Sequence, residues 1–211
     1  GFQHLRVARD LDLVAVDATN PWGGGHLLPR GRLREPLREL ARADLIIITR
    51  TEQAERDVDS IRKQAERFSG GRPVILSRTK TRGLRPLGTS LQGSRLESAF
   101  HSLPEPVAAF CALGNPTAFF THIQRDGHQL SFTRAFPDHH LYTQADVDKL
   151  ICEARLAGAL SLLTTAKDAV KLRALRFELP CYVLEIELEF DDAGRLSEII
   201  REAITAARKR V

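Results

Sequence analysis

The sequence predicts an α/β fold, a mostly parallel sheet with flanking helices, divided into a first domain over residues 1–80 and a second, smaller α/β domain over residues 81–211. Three observations carry this. Short β-branched runs recur along the 211 residues. Longer stretches of helical period separate them, which is the rhythm of βα units. Between Arg78 and Gly88 the apolar periodicity lapses and Gly and Pro punctuate the chain, so a linker or hairpin is expected at about 78–90.

The elements follow in order. Leu11 to Val16 is the first strand, and an arginine-rich stretch of helical period runs from Leu33 to Ala43. Asp44 to Thr49 is a second strand, Thr51 to Phe68 a polar helix and Pro73 to Ser77 a third strand. Beyond the linker come the strand Val107 to Ala112, a helix over Pro116 to Asp126 and an extended stretch near Gln129 to Phe136. A helix from Thr143 to Ala157, the strand Leu160 to Leu163, a helix from Lys167 to Leu175, the strand Cys181 to Leu188 and a helix from Arg195 to Arg208 complete the set.

Composition narrows the class. With 43% hydrophobic residues the chain can bury ordinary cores. Lys and Arg number 31 against 27 Asp and Glu, a net charge of +4 that suits an anionic partner without naming it. The longest apolar run, Leu45-Ile46-Ile47-Ile48, is strand-sized, so any membrane contact is expected to be peripheral. Cys111, Cys152 and Cys181 match no zinc or C-x-x-C spacing and read as buried thiols of a reducing compartment. The chain opens on Gly1 and contains no methionine, so it is expected to be the carboxyl-terminal portion of a larger cytosolic enzyme.

Several catalytic motifs are absent. No Gly-Lys pair occurs, so the P-loop pattern G-x-x-x-x-G-K-[ST] is not met. Gly23-Gly24-Gly25 follows a strand, but Leu28 stands where the dinucleotide fingerprint needs a third glycine. H-E-x-x-H does not occur.

Five segments carry polar groups at strand ends or helix starts. Gly1-Phe2-Gln3-His4, with Arg6, Arg9 and Asp10, precedes the first strand. It reads either as substrate-orienting or as a solvated connection. Asn20 to Pro36 holds the only tryptophan, a run of glycines and arginines around Glu35; a carboxylate among arginines stays ionised and can position a metal-bound phosphate or a hydroxyl, and a surface loop is the other reading. Ala112-Leu113-Gly114-Asn115-Pro116 opens a helix, as an anion site or a plain βα turn. In Phe136-Pro137-Asp138-His139-His140 a carboxylate adjoins imidazoles, an arrangement suited to acid–base or orienting work. Thr164-Thr165-Ala166-Lys167-Asp168 offers Lys167 to a phosphate, or simply a helix cap.

In order and wording these segments resemble the tetraacyldisaccharide 4'-kinases, the lipid A 4'-kinases of Gram-negative bacteria. The resemblance runs through Gly1-Phe2-Gln3-His4, Arg9-Asp10, Leu27-Leu28-Pro29-x-Gly31-x-Leu33-Arg34-Glu35-Pro36, Gly114-Asn115-Pro116, Asp138-His139 and Lys167-Asp168-Ala169-Val170-Lys171. Two positions depart from the family pattern. Ala112 replaces a glycine and Ala166 a glutamate.

The resemblance implies a P-loop NTPase-like core, incomplete here, and transfer of the ATP γ-phosphate, with Mg2+, to the 4'-hydroxyl of tetraacyldisaccharide 1-phosphate in lipid A and lipopolysaccharide biosynthesis. The family's P-loop, catalytic aspartate and acidic pair would precede Gly1. Glu35 and His139 then match active-site positions, Glu35 organising charge beside the metal and His139 supporting the aspartate. Gln3, His4, Arg9, Asn115, Asp138 and Lys167 are implied supporting or substrate-binding residues, and no complete metal site is expected. The chain alone is expected to be inactive, and the parent protein to act on its acylated disaccharide at the cytoplasmic face of the inner membrane. A non-catalytic module for nucleotide, nucleic acid or another anionic ligand is the alternative.

Overall fold

The computed structural model describes residues 2–4, 6–88 and 103–209. Gly1 and positions 89 and 90 of the expected linker lie outside the described residues. The chain forms two compact units, Gly1–Lys80 with Leu188–Val211, and Thr81–Glu187.

In the first unit β1 (Leu13–Asp17), β2 (Leu45–Thr49) and the first part of β3 (Val74–Pro86), as far as Lys80, lie in that order and pair in parallel, with Leu13 opposite Leu45 and Ile46 opposite Val74. Side chains alternate across a strand, so β2 feeds two cores. Ile46 and Ile48 pack with Val16, Trp22, Leu40, Ile61 and Ala65 on one face. Leu45 and Ile47 meet Ile75, Leu196 and Ile199 on the other. The first face is covered by a 3-10 turn (Leu37–Arg42) and α1 (Val58–Ser69), the second by α5 (Ala193–Arg208). α1 begins where the Asp57 carboxylate accepts from Asp59 N and ends at Gly70 in the left-handed region, with Gly71 N donating to Glu66 O.

The last segment decides where the units divide. The sequence reading placed 81–211 together, whereas residues from Leu188 on lie in the first unit. The reason is burial: without Leu196 and Ile199 of α5, the Leu45 face of the sheet would lie open to water.

The second unit orders its strands β7 (Cys181–Phe190), β6 (Ser161–Thr165), β4 (Val107–Cys111) and β5 (Leu130–Ala135), all parallel. Central β4 is wholly buried. Ala108 and Phe110 pack toward α3 (Gln144–Leu156) and α4 (Ala166–Leu172), through Val147, Leu150, Ile151 and Leu172. Val107, Ala109 and Cys111 pack toward α2 (Pro116–Arg125), through Phe119 and Ile123. A capping box starts α3: Asp146 N donates to Thr143 Oγ1 at 3.2 Å and Thr143 N to Asp146 Oδ2 at 2.9 Å.

Three expectations are corrected. Residues 78 to 86 are no linker but the second half of β3. Its exposed face is charged, Arg78, Lys80 and Arg82 alternating with half-buried Thr79 and Thr81, so a period of 2 is present without apolar residues. Carboxylates of β7 hold it: Arg78 pairs with Glu189, Lys80 with Glu189 at 2.8 Å, and Arg85 with Glu185 at 2.6 Å. The helix expected from Thr51 is a short 3-10 turn (Thr51–Gln53) followed by α1, because the cap is supplied by Asp57, six positions after Thr51. Cys111 and Cys181 are buried, but Cys152 is exposed, on the face of α3 opposite Leu150, Ile151 and Ala154.

Candidate functional site

Each unit gathers its own set of the predicted residues. In the first, Arg9 Nη1 donates to the His4 carbonyl at 2.9 Å while its Nε meets Asp12 Oδ1 at 2.7 Å. Asp12 is fixed in turn, its N–H donating to Asp44 Oδ2 at 2.8 Å. The segment before β1 is thereby tied to the edge of the sheet. Gln3 and His4 expose their side chains.

Glu35 forms an ion pair with Arg42, at the end of the 3-10 turn, and Arg42 lies 4.6 Å above the Phe2 ring. Arg42 therefore joins Glu35 to the Phe2–His4 segment through a charge-assisted bond and a cation–π contact. Sequence reasoning missed it, since only the turn Leu37–Arg42 brings a residue seven positions away onto Glu35. The loop before Glu35 is tightly closed. Leu28 N donates to Leu33 O at 2.9 Å, Gly31 N to Leu27 O at 3.0 Å and Leu33 N to His26 O at 3.1 Å. Trp22 anchors it, buried edge-on against Phe68 at 5.3 Å.

In the second unit the set lies at the carboxyl ends of β4, β5 and β6, where ligands of parallel sheets bind. The turn after β5 closes with His140 N donating to Pro137 O at 3.0 Å and places His139 at φ 62°. A non-glycine residue there costs on the order of 1 kcal/mol and persists only when neighbours impose it. His139 is 78% exposed, its Nε2 3.7 Å from Asp138 Oδ2. Lys167 Nζ donates to Asp138 Oδ1 at 3.0 Å. That hydrogen bond, with the adjoining His139, holds the Asp138 carboxyl below the usual carboxylate range. An ionised carboxylate beside a solvent-facing imidazole suits orienting or acid–base work.

Asn115 caps α2, its Oδ1 accepting from Ala118 N at 3.2 Å, with Pro116 in the first turn. The turn before it approaches the same carboxylate: a β-carbon on Gly114 would lie 3.6 Å from Asp138 Oδ2.

Beneath this rim lies a buried polar cluster that sequence reasoning read only as a helix cap. Asp168 is fully buried. Its Oδ2 accepts from Ala112 N at 3.0 Å and from Thr165 Oγ1 at 2.8 Å, while Asp168 N donates to Thr165 Oγ1 at 3.1 Å. The T-x-x-D spacing shows the cap; the bond to Ala112, 56 positions away, has no sequence signal. Lys171 Nζ stands 3.7 Å from Asp168 Oδ1 and donates to the His140 carbonyl at 3.1 Å. Burial and then the Asp168 carboxylate push the Tyr142 phenol well above its ordinary value and the Cys111 thiol up to about 12.

Among the described residues no group of three or more His, Cys, Asp or Glu side chains is arranged to hold a metal ion. Glu35, the carboxylate placed beside the metal by resemblance, is engaged by Arg42. The described residues therefore do not by themselves fit a magnesium site. Among them, too, no helix is long and apolar enough to cross a membrane.

Comparison with known proteins gives a consistent result. The profile of the family described as Tetraacyldisaccharide-1-P 4'-kinase (LpxK) matches residues 1–205. A curated tetraacyldisaccharide 4'-kinase of Anaeromyxobacter sp. (strain K) is 38% identical over 214 residues, covering 98% of this chain and 54% of the relative. That of Halothermothrix orenii is 34% identical over 216 residues, covering 96% and 56%. The chain thus spans about half the length of the curated relatives it matches. Among solved structures, the "apo" form of LpxK from Aquifex aeolicus, in complex with ATP at 2.2 Å resolution, superposes with a TM-score of 0.63 at 24% identity, over 96% of this chain and 55% of that one, a likeness of fold.

Proposed function

We propose, from the premise that this chain belongs to the tetraacyldisaccharide 4'-kinase family, that it works within a lipid kinase transferring the γ-phosphate of ATP to the 4'-hydroxyl of a tetraacylated glucosamine disaccharide 1-phosphate. One observation supports the assignment of roles. The Asp138–His139 pair stands exposed at the carboxyl end of β5, its carboxylate held by Lys167.

In this reading His139 orients the group that takes the proton from the sugar hydroxyl, with the ionised Asp138 carboxylate beside it. Glu35, held by Arg42, helps to organise the charge around the phosphates. Gln3, His4, Arg9 and Asn115 shape the surrounding backbone, and Lys167 offers a cation beside the rim. Mg2+ is the metal expected with ATP in such a reaction. Because the described residues do not make up its site, no step is assigned to it. The excess of basic residues, 31 against 27 acidic, favours peripheral contact with the anionic cytoplasmic face of the inner membrane.

The test is phosphate transfer from γ-labelled ATP to tetraacyldisaccharide 1-phosphate by the full-length gene product that carries this chain. His139→Ala is expected to lower kcat by roughly 100-fold, the scale of a lost acid–base partner. Glu35→Gln should lower kcat/KM for ATP. Unchanged kinetics in both variants would remove these roles. Absence of lipid phosphorylation together with salt-sensitive DNA binding would favour the anionic-ligand module instead.

A further inference from the structure

The exposed turn that carries His139 rests on a single short helix. Lys167 and Lys171 stand four positions apart on α4 (Ala166–Leu172), on one side of it. Lys167 holds the Asp138 side chain at 3.0 Å and Lys171 the His140 carbonyl at 3.1 Å, so the two ammonium groups grip the turn on either side of His139. Asp168 lies between them, fully buried, and fastens the start of α4 to β4 through the Ala112 amide at 3.0 Å. Asp168 also interacts with the Tyr142 phenol, and its other oxygen, Oδ1, faces Lys171 Nζ at 3.7 Å. The far end of the turn is packed as well. The His140 ring stacks on Phe136 at 4.8 Å, meets Tyr142 edge-on at 5.1 Å and reaches Asp146 Oδ2 at 3.2 Å.

We propose that Asp168 and Lys171 are positioning residues, a buried carboxylate and a half-buried ammonium that together lock the Pro137–His140 turn to β4 and thereby hold His139 in its left-handed conformation. A buried carboxylate is costly unless hydrogen bonds and a cation answer it, and Lys171 brings its ammonium to 3.7 Å from Asp168 Oδ1. One ammonium group, Lys171 Nζ, thus joins the buried carboxylate to the backbone of the turn. Lys167, on the solvent side, steadies the Asp138 side chain, whereas Lys171 fixes the backbone. The catalytic consequence rests on the role of His139 given above; the mechanical part does not.

The experiment uses the full-length gene product, selectively labelled with 13C at histidine, and the variants Lys171→Met and Lys171→Arg. Lys171→Met is expected to move the His139 Cα and Cβ chemical shifts away from left-handed values. Its kcat should fall by about 10-fold to 100-fold with KM for ATP held, the scale of a small misplacement. In a His139→Ala background the same substitution should add little, since the two act through one group. Lys171→Arg should restore both readouts. Unmoved His139 shifts in Lys171→Met, or an equal loss of kcat with and without His139, would overturn the proposal. Should Lys171→Met prove unfolded, Asp168→Asn serves the same comparison. Moved shifts with full activity in both Lys171→Met and His139→Ala would leave the clamp standing and overturn the catalytic role of His139.

Discussion

A β-carbon added to Gly31 would stand 2.1 Å from the carbonyl oxygen of His26, the oxygen that accepts from Leu33 N at 3.1 Å. The contact is with backbone, which has nowhere to swing, so the closed loop ahead of Glu35 admits only glycine there.

Gly31→Ala is therefore expected to break the His26–Leu33 bond and destabilise the chain by about 1–3 kcal/mol, the scale of overpacking. Chemical denaturation would read the loss, and amide exchange at Leu28 and Leu33 should speed up before the strand amides do. Gly24→Ala meets nothing within 4 Å and differs only through its positive φ, so it should cost less. Equal losses in the two variants would contradict the steric account.

Acid should weaken the charged half of β3 through Glu189. Hydrogen bonds from Arg78 and then Lys80 lower its pKa from 4.5 to about 2. A carboxylate whose folded value is depressed stabilises the fold fully above its unfolded value and loses that stabilisation as pH falls toward the folded value. Stability should thus decline between about pH 4.5 and pH 2. Glu189→Gln should flatten that part of the profile of denaturation midpoint against pH, and identical slopes would show that Glu189 does not titrate as described.

Native thiol reactivity should follow burial. Of the three cysteines only Cys152 is exposed. Burial raises the Cys111 thiol to about 12 and pushes Cys181 higher still. One equivalent of a charged alkylating reagent should therefore react quickly per native chain, and Cys152→Ser should abolish that phase. Guanidinium should release the other two. A fast second equivalent without denaturant would show that β4 or β7 opens locally.

Much of the fold was legible because buried parallel strands are apolar and helix ends carry caps. The run Leu45 to Ile48, the β-strand Val107–Cys111, the Thr143 cap and Pro116 in the first turn of α2 all lie where pattern and capping chemistry place them. The second half of β3 was not, because its strand period is written in Arg, Lys and Thr and its partners Glu185 and Glu189 lie about a hundred positions away. Nor was the covering of the Leu45 face by α5. An amphipathic helix shows that it has an apolar side, but not which sheet receives it.

The candidate residues divide in the same way. Sequence alone determined the α/β class, the caps, the basic excess and the family whose motifs run from Phe2 to Lys171, because these depend on residue type and local spacing. Tertiary structure alone decided that Arg42 answers Glu35 across the Phe2 ring, and that Lys167, Asp168 and Lys171 converge on the His139 turn. Hydrogen bonds and ion pairs depend on distance and burial. The bond from Ala112 to Asp168 exists because β4 and β6 lie side by side in one parallel sheet, a neighbourhood that the 56 intervening residues do not record.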